Sequence, residues 1–185
     1  MDRWGGATRI CAEDFGIDTI SRDVAFAGRT DRAISLDLMA VHDVEPSEEN
    51  WLRFRRGYLE RLPAALAERQ GGVLAGVAPL LETLRQMPGV ALGLLTGNLA
   101  AGAQLKLSHY GLADWFPFGG FGDHAVDRDD VAAAARQAAE DHLSERALPL
   151  RGALVIGDTL HDITCARSIG AQVAAVATGS SNRDT

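Results

Sequence analysis

The sequence predicts an α/β fold in which a helical module precedes a core built on a parallel sheet. From about residue 76 onward, short apolar runs alternate with stretches of helical periodicity, which is the pattern of parallel strands joined by helices. Before that point the apolar residues recur at helical spacing, and no convincing strand is present. The expected domains are therefore a helical module at 1–75 and an α/β core at 76–185.

The helical module contains two amphipathic segments. They span residues 32–42 and 47–69. Thr30 or Asp31 is placed to cap the first helix, and Ser47 lies at the start of the second. Three glycines within residues 69–77 predict a hinge between this module and the α/β core.

The α/β core is predicted to alternate strands with helices. The strands are expected at 90–96, 152–158 and 171–179, and the helices at 99–112, 127–146 and 159–170. The run "VALGLLT" is almost continuously apolar, as expected of a parallel strand that is covered on both faces. Gly111 predicts the end of the first helix, and acidic residues favour the start of the second.

The composition is that of an ordinary soluble globular protein, with 46% apolar and 23% charged residues. The formal net charge of −7 argues against nucleic acid as a partner. Cys11 and Cys165 are far apart and lack a CxxC partner, so neither a disulfide framework nor a zinc site is indicated. No apolar run reaches the roughly 18 residues of a membrane span, and no signal peptide is recognisable, so a cytoplasmic protein without a membrane partner is expected.

The apolar run "GALVIG" predicts a buried strand, and Asp158 follows it directly, with Asp162 four residues later. Like charges at one place repel each other unless a cation or another partner lies between them. Because Mg²⁺ takes oxygen ligands, often one or two carboxylates with substrate phosphate, Asp158 and Asp162 are candidate metal ligands. The alternative is a helix start, with Asp158 or Thr159 as the cap and Asp162 stabilised by the helix dipole.

A second strand end, "LLTGN" at 94–98, carries small polar groups. Thr96 offers a hydroxyl, and Gly97 and Asn98 offer backbone amides that no side chain obstructs. Ligands of parallel sheets lie beyond the carboxyl ends of the strands, so these three residues are candidates for phosphate binding. The alternative is an ordinary strand-to-helix turn with Asn98 as the N-cap.

Arg128 lies between the two strand ends in sequence, at the start of the Ala-rich helix. A cation there can neutralise both a phosphoryl group and a nearby carboxylate. The alternative is a solvated arginine beside three aspartates. Lys106 falls in the middle of a helix and is expected at the surface, and the five histidines show no metal-ligand spacing.

The segments "LLTGN", Arg128 and "GDTLHD", in this order and at strand ends, resemble the second, third and fourth motifs of the haloacid dehalogenase (HAD) superfamily, most closely its phosphoglycolate-phosphatase-like branch. Residues 8–72 resemble the helical cap of that branch. Within them, "AGRTDRAI" (27–34) resembles the cap segment that lies over the site, which makes Arg29 a candidate substrate contact; a plain capping turn is the equal alternative. The resemblance covers nearly the whole chain, and arginine stands where the branch usually has lysine.

The resemblance implies a Rossmann-like core that hydrolyses a small phosphorylated metabolite with Mg²⁺. In the superfamily, one aspartate attacks phosphorus and a second, two residues later, acts as acid and base. By resemblance, Thr96 and Asn98 hold the phosphoryl oxygens and Arg128 stabilises the charge. Asp158 holds the metal, with Asp162 nearby.

The first motif of the superfamily, an apolar strand that ends in DxDGT, is absent from the sequence. The segment "GGATRICAEDFGI" already resembles the first cap helix. Asp2 has only Met1 before it, and "DFGIDTI" has the wrong spacing and no preceding strand. In the superfamily the missing strand lies between the strands that here end at Thr96 and Asp158. About six apolar residues at this place would contribute roughly 10 kcal/mol of burial.

Two functions are therefore expected. The first is a phosphomonoester hydrolase whose sequence lacks its beginning and which is inactive as given; the tail "ATGSSNRDT" also stops before the last helix of the superfamily. The second is a non-catalytic relative that binds phosphate or a partner through the surviving motifs. Dehalogenation is a weaker alternative, because it needs no metal and leaves Asp158 and Asp162 without a role.

Overall fold

The computed structural model describes residues 5–21 and 23–176 of the chain. Its helices are α1 (Gly5–Phe15), α2 (Asp31–Val41), α3 (Glu48–Ala67), α4 (Val77–Gln86), α5 (Ala100–His109), α6 (Arg128–Ser144) and α7 (Leu160–Ser168), with a 3₁₀ turn at Ala113–Trp115. Its strands are β1 (Leu94–Leu95), β2 (Gly119–Gly120), β3 (Leu154–Gly157) and β4 (Gln172–Ala175). Asp2, the end of the strand expected at 171–179 and the tail after it lie outside the described residues.

Helices α1 to α3 form the cap, and no strand precedes residue 94 in the part of the chain that the structure describes. The predicted caps are confirmed: the Thr30 side chain accepts a hydrogen bond from the amide of Ala33, and the Ser47 side chain accepts one from Asn50. The apolar faces of the three helices meet in one buried cluster: Ile10, Cys11, Val24, Leu38, Met39, Trp51, Phe54 and Leu99.

Leu99 belongs to this cluster although it comes from the α/β core. It lies at the start of α5 and is fully buried among the cap side chains. Helix α5 also packs against α3. The cap and the core are therefore joined by apolar packing at the point where the β1 strand ends. The division at residue 75 remains a prediction.

The fold is α/β with parallel strands, as predicted, but the strands form two separate pairs. β1 pairs with β2 in the register Leu94↔Gly119, and β3 pairs with β4 in the register Leu154↔Gln172. Among residues 5–21 and 23–176, no strand pairing joins β1 to β3. Helix α6 packs on β2, and α7 packs on β3 and β4.

The strand β3 was predicted to be buried, and this prediction is wrong. Leu154 is 57% exposed and Ile156 is 47% exposed. Both residues project from the strand on the same side, because side chains alternate along a strand. Nothing in the described chain covers that side or pairs with the second edge of β3. The described chain therefore leaves one edge of β3 unpaired and two of its apolar side chains exposed.

Candidate functional site

The carboxyl ends of β1 and β3 open into one cavity of about 540 Å³. The residues that line it include Thr96, Gly97 and Asn98 after β1, and Asp158 and Asp162 after β3. The cap contributes the apolar side of the cavity, with Phe26, Ile34, Phe54, Tyr58, Leu62 and Leu66. Arg29, Lys106 and Arg128 also line the cavity. The structure thus brings every site residue predicted from the sequence to a single cavity.

Both carboxylate oxygens of Asp162, at the start of α7, accept hydrogen bonds. Thr159 is the N-cap, and its hydroxyl accepts a hydrogen bond from the Asp162 amide. In return, Oδ2 of Asp162 accepts hydrogen bonds from the Thr159 amide at 3.1 Å and from the Asp158 amide at 3.2 Å. This reciprocal pattern is a capping box, so the local alternative considered for the acidic pair is present in the structure.

The second oxygen of Asp162 binds Arg128. Nη2 of Arg128 lies 2.7 Å from Oδ1 of Asp162, and both side chains are largely buried, with 10% and 13% of their surfaces exposed. The Nε atom of Arg128 is also buried and has no hydrogen-bond partner in the described chain. Arg128 is therefore not a solvated arginine: it connects the α6 N-terminus to the β3 loop and keeps one unused donor.

Asp158 differs from Asp162, because its carboxylate makes no hydrogen bond or ion pair with the described residues. It is half-buried at the edge of the cavity. No group of three or more His, Cys, Asp or Glu side chains in the described chain is arranged to hold a metal. A metal at this site would therefore take Asp158 as its carboxylate and complete its shell with water and ligand oxygens, which suits Mg²⁺.

The loop after β1 keeps one backbone donor unused. The Thr96 amide donates to Gly120 O at 3.1 Å, and the Asn98 amide donates to Oγ1 of Thr96 at 3.2 Å. The Gly97 amide has no acceptor in the part of the chain that the structure describes. A Cβ at Gly97 would lie 2.3 Å from Arg29 O, so only glycine lets the cap approach this closely. Of the predicted amides, Gly97 is the one that remains available to an anion.

The N-terminus of α5 is occupied by protein carboxylates. The Leu99 amide donates to Asp31 Oδ2 at 2.8 Å, and the Ala100 amide donates to Asp123 Oδ2 at 2.7 Å. Leu99, not Asn98, is the N-cap residue. The alternative in which Asn98 caps this helix is therefore wrong, and two protein carboxylates already satisfy the first amides of the helix.

The Asn98 side chain is held at both ends. Its Nδ2 donates to Asp31 Oδ1 at 3.3 Å, and its Oδ1 accepts a hydrogen bond from Nζ of Lys106 at 2.9 Å. Lys106 was expected at the surface, but it lines the cavity, and burial lowers the pKa of its ammonium group. Burial also raises the pKa of Asp31. A polar network thus crosses from the cap to the core beside the predicted phosphate loop.

Arg29 lies at the cap side of the cavity and is paired with Asp37 of α2. Thr30 caps α2, so the capping-turn alternative is present. Arg29 lines the cavity, and its contact with a substrate remains a prediction.

Sequence reasoning missed two polar residues of the site, Asp31 and Lys106. Asp31 was noted only as a possible helix cap, and Lys106 was assigned to the surface from its position in a helix. One signal was available: Lys106 is the only lysine among the 18 Lys and Arg residues of the chain. No local pattern indicated Asp31, because its partners are Asn98 and Leu99, far along the chain.

The Asp31→Asn variant is expected to gain stability relative to the wild type as the pH rises. Because the folded-state pKa of Asp31 is raised by burial, the wild-type protein loses stability as the pH rises through that pKa, whereas asparagine does not titrate. The difference in unfolding free energy should therefore shift in favour of the variant between about pH 4 and pH 7. Urea denaturation at both pH values measures it. The exposed control Asp114→Asn should show no such shift, and an equal shift in both variants would contradict the burial of Asp31.

Comparison with known proteins agrees with this geometry. Residues 127–185, which contain Arg128 and "GDTLHD", match the Hydrolase_like family model, described as HAD-hydrolase-like. A HAD-like hydrolase from Streptococcus pneumoniae has a similar structure, with a TM-score of 0.59, 17% identity, and coverage of 96% of this chain and 78% of that one. These matches support the HAD superfamily. The Rossmann-like core and helical cap predicted from the HAD resemblance are thereby confirmed as the fold.

A second protein of similar structure is protein tyrosine kinase A of Mycobacterium tuberculosis. Its TM-score is 0.56 at 22% identity, with 97% of this chain and 78% of that chain covered. Identities this low establish the fold alone. No curated protein sequence matches the chain. No helix within the described ranges is long and apolar enough to cross a membrane.

Proposed function

We propose that this chain carries the phosphate- and Mg²⁺-binding half of the active site of a HAD phosphomonoester hydrolase of the phosphoglycolate-phosphatase-like branch. The observation that carries the proposal is the set of unused polar groups at one cavity. Among the described residues, the Gly97 amide and Arg128 Nε have no acceptor, and the Asp158 carboxylate has no partner. Phosphoryl transfer depends mainly on positioning and charge stabilisation, and these groups are of the type that supplies both.

In this proposal, the phosphoryl oxygens accept hydrogen bonds from the Gly97 amide and the Thr96 hydroxyl. Arg128 offsets their negative charge, and Asp162 holds its guanidinium in place. Asp158 holds Mg²⁺, which neutralises phosphoryl charge when bound. Asn98 acts through its side-chain contacts with the cap and with Lys106.

No described carboxylate at the cavity is suited to attack phosphorus. The carboxylate of Asp31 accepts hydrogen bonds from Leu99 and Asn98. Both oxygens of Asp162 also have partners, and Asp158 is assigned to the metal. We infer that the nucleophile comes from a further strand between β1 and β3. The amides of Leu94 and Thr96 donate hydrogen bonds to residues 118 and 120, on the β2 side of β1. The backbone groups of Leu95 therefore point to the other edge of β1, which is unpaired in the described chain. Without that strand the chain is expected to be inactive.

A non-catalytic phosphate-binding protein is the second candidate, and the lack of a free nucleophilic carboxylate in the described chain favours it. Both candidates take a small phosphorylated metabolite as partner, in the cytoplasm, with no role for nucleic acid or membrane. The mycobacterial neighbour is described as a protein tyrosine kinase, and kinases transfer phosphoryl groups. Turnover after addition of a central strand distinguishes the two candidates.

The Asp158→Ala variant is expected to lose the effect of Mg²⁺ on phosphate binding. In the wild type, inorganic phosphate should shift the Gly97 amide resonance, because this amide is the free backbone donor. Added Mg²⁺ should tighten phosphate binding by about 10-fold, the effect of one charge-assisted contact. Nuclear magnetic resonance titration with phosphate, with and without Mg²⁺, measures both.

The matched control is Asp130→Ala, which removes an exposed carboxylate from α6. It should respond to Mg²⁺ as the wild type does. Equal Mg²⁺ effects in the wild type and Asp158→Ala would remove Asp158 from the metal site, and resonance shifts confined to other loops would show that the Gly97 turn is only structural.

A further inference from the structure

Lys106 projects from α5 into the cavity. Its Nζ donates to Oδ1 of Asn98 at 2.9 Å and lies 5.8 Å from the centre of the Tyr58 ring. An ammonium group has three N–H donors, so two of them have no acceptor among the described residues. No described carboxylate lies within ion-pairing distance of Nζ. Lys106 is therefore a desolvated cation with unused donors beside the loop that ends β1.

No described group that faces Lys106 forms an ion pair with its ammonium group. Asp31 of α2 attracts it from beyond contact distance, but both oxygens of Asp31 already accept hydrogen bonds from Asn98 and Leu99. Tyr58 of α3 presents its ring, and Arg69, after α3, adds a repelling positive charge. Taking an ammonium group out of water without a paired anion is unfavourable. The arrangement becomes favourable when an anion enters the cavity.

The charges around the rest of the cavity indicate where that anion binds. Arg128 and Asp162 form a neutral pair, and Asp158 adds a negative charge. Arg128, Asp162 and Asp158 together carry a net charge of about −1, which by itself would repel a phosphate dianion. Lys106 adds a positive charge, without an ion-pair partner among the described residues, on the cap side of the Thr96–Asn98 loop.

We propose that Lys106 is an anion-binding residue and that a phosphoryl group binds between its ammonium group and Arg128, an inference that rests on the phosphate site proposed above. The Gly97 amide belongs to the same cavity lining as both cations. The ligand is thus a phosphomonoester or phosphate dianion that contacts both the cap side and the β3 side of the site.

Calorimetric titration with inorganic phosphate, without metal and near neutral pH, tests the proposal. Lys106→Met should weaken phosphate binding at least ~10-fold, the usual effect of losing a charge-assisted hydrogen bond. Its free energy of unfolding should equal or exceed that of the wild type, because a desolvated charge is removed. The control Arg151→Met removes an exposed cation outside this cavity and should leave phosphate affinity unchanged.

The variant Lys106→Arg separates the charge from the shape of the side chain. It should retain phosphate binding and extend it to higher pH, because guanidinium does not titrate whereas the wild-type ammonium has a lowered pKa. Phosphate should also slow the labelling of Lys106, the only lysine side chain, by an amine-specific reagent, as read by peptide mass mapping.

Phosphate affinity that is unchanged in Lys106→Met would overturn the proposal, as would labelling that phosphate does not slow. A wild-type chain that binds no phosphate would overturn both this proposal and the phosphate site. Phosphate binding that depends on Lys106, combined with no hydrolysis by a chain completed with a central strand, would refute only the proposed hydrolase function.

Discussion

Replacing Asp162 with alanine is expected to lower the free energy of unfolding by about 3–5 kcal/mol, the range measured when one partner of a buried ion pair is removed. The variant leaves Arg128 buried without its carboxylate, since the two side chains are only 10% and 13% exposed. It also removes the capping box at Thr159, which contributes about 1 kcal/mol more. Denaturant titration followed by circular dichroism measures the change.

Two further variants separate the ion pair from the cap. Asp162→Asn keeps an acceptor for the Thr159 amide but loses the charge, so it should fall between the wild type and Asp162→Ala. The double variant Arg128→Met/Asp162→Ala should be less destabilised than the sum of its single variants, because the second substitution removes the unpaired charge. A loss below about 1 kcal/mol in Asp162→Ala would show that the pair behaves as an exposed one.

The features that sequence reasoning placed well are local ones. Helices α2 and α3 begin within one residue of their predicted starts, and the side chains of Thr30 and Ser47 cap them as expected. Gly111 follows α5 with a φ of 70°, which is the left-handed conformation of a helix stop. These features depend on contacts within a few residues, which a single sequence contains.

The features that the sequence did not predict depend on distant contacts. The exposure of Leu154 and Ile156 depends on whether another strand covers β3, and the apolar pattern is the same in either case. The burial of Lys106 depends on a cap that begins some 100 residues earlier in the chain. The free edges of β1 and β3 were expected only through the resemblance to the HAD superfamily, because no pattern within a strand tells how its neighbours pair.

Adding a central strand is expected to change activity more than any single substitution. An apolar strand that ends in DxDGT, placed before Gly5, would pair with the edges of β1 and β3 that the described chain leaves unused, and its side chains would pack beside Leu154 and Ile156. Its first aspartate would supply the nucleophile that the described cavity lacks. Turnover should rise by on the order of 10⁴-fold or more, the scale of effects seen when a nucleophile is removed from an enzyme. Stability should rise with it, because apolar surface becomes buried.

The matched control carries asparagine in place of the first aspartate of DxDGT. It should gain the same stability as the active strand but no turnover, because the sheet is completed without a nucleophile. Combining the active strand with Asp158→Ala should also abolish Mg²⁺-dependent turnover. Full activity in the asparagine control would show that the added strand only stabilises the sheet and that another group attacks phosphorus.

The most direct test is the Mg²⁺-dependent hydrolysis of a generic phosphomonoester by the 185-residue chain and by the chain extended with the DxDGT strand, both pure and at equal concentration. We expect no turnover above the buffer rate for the chain alone, and turnover that requires Asp158 and the first DxDGT aspartate for the extended chain. Asp158-dependent turnover by the unextended chain would contradict the assignment of the nucleophile to the absent strand. Failure of a folded, extended chain to hydrolyse the ester would contradict the proposed phosphatase function.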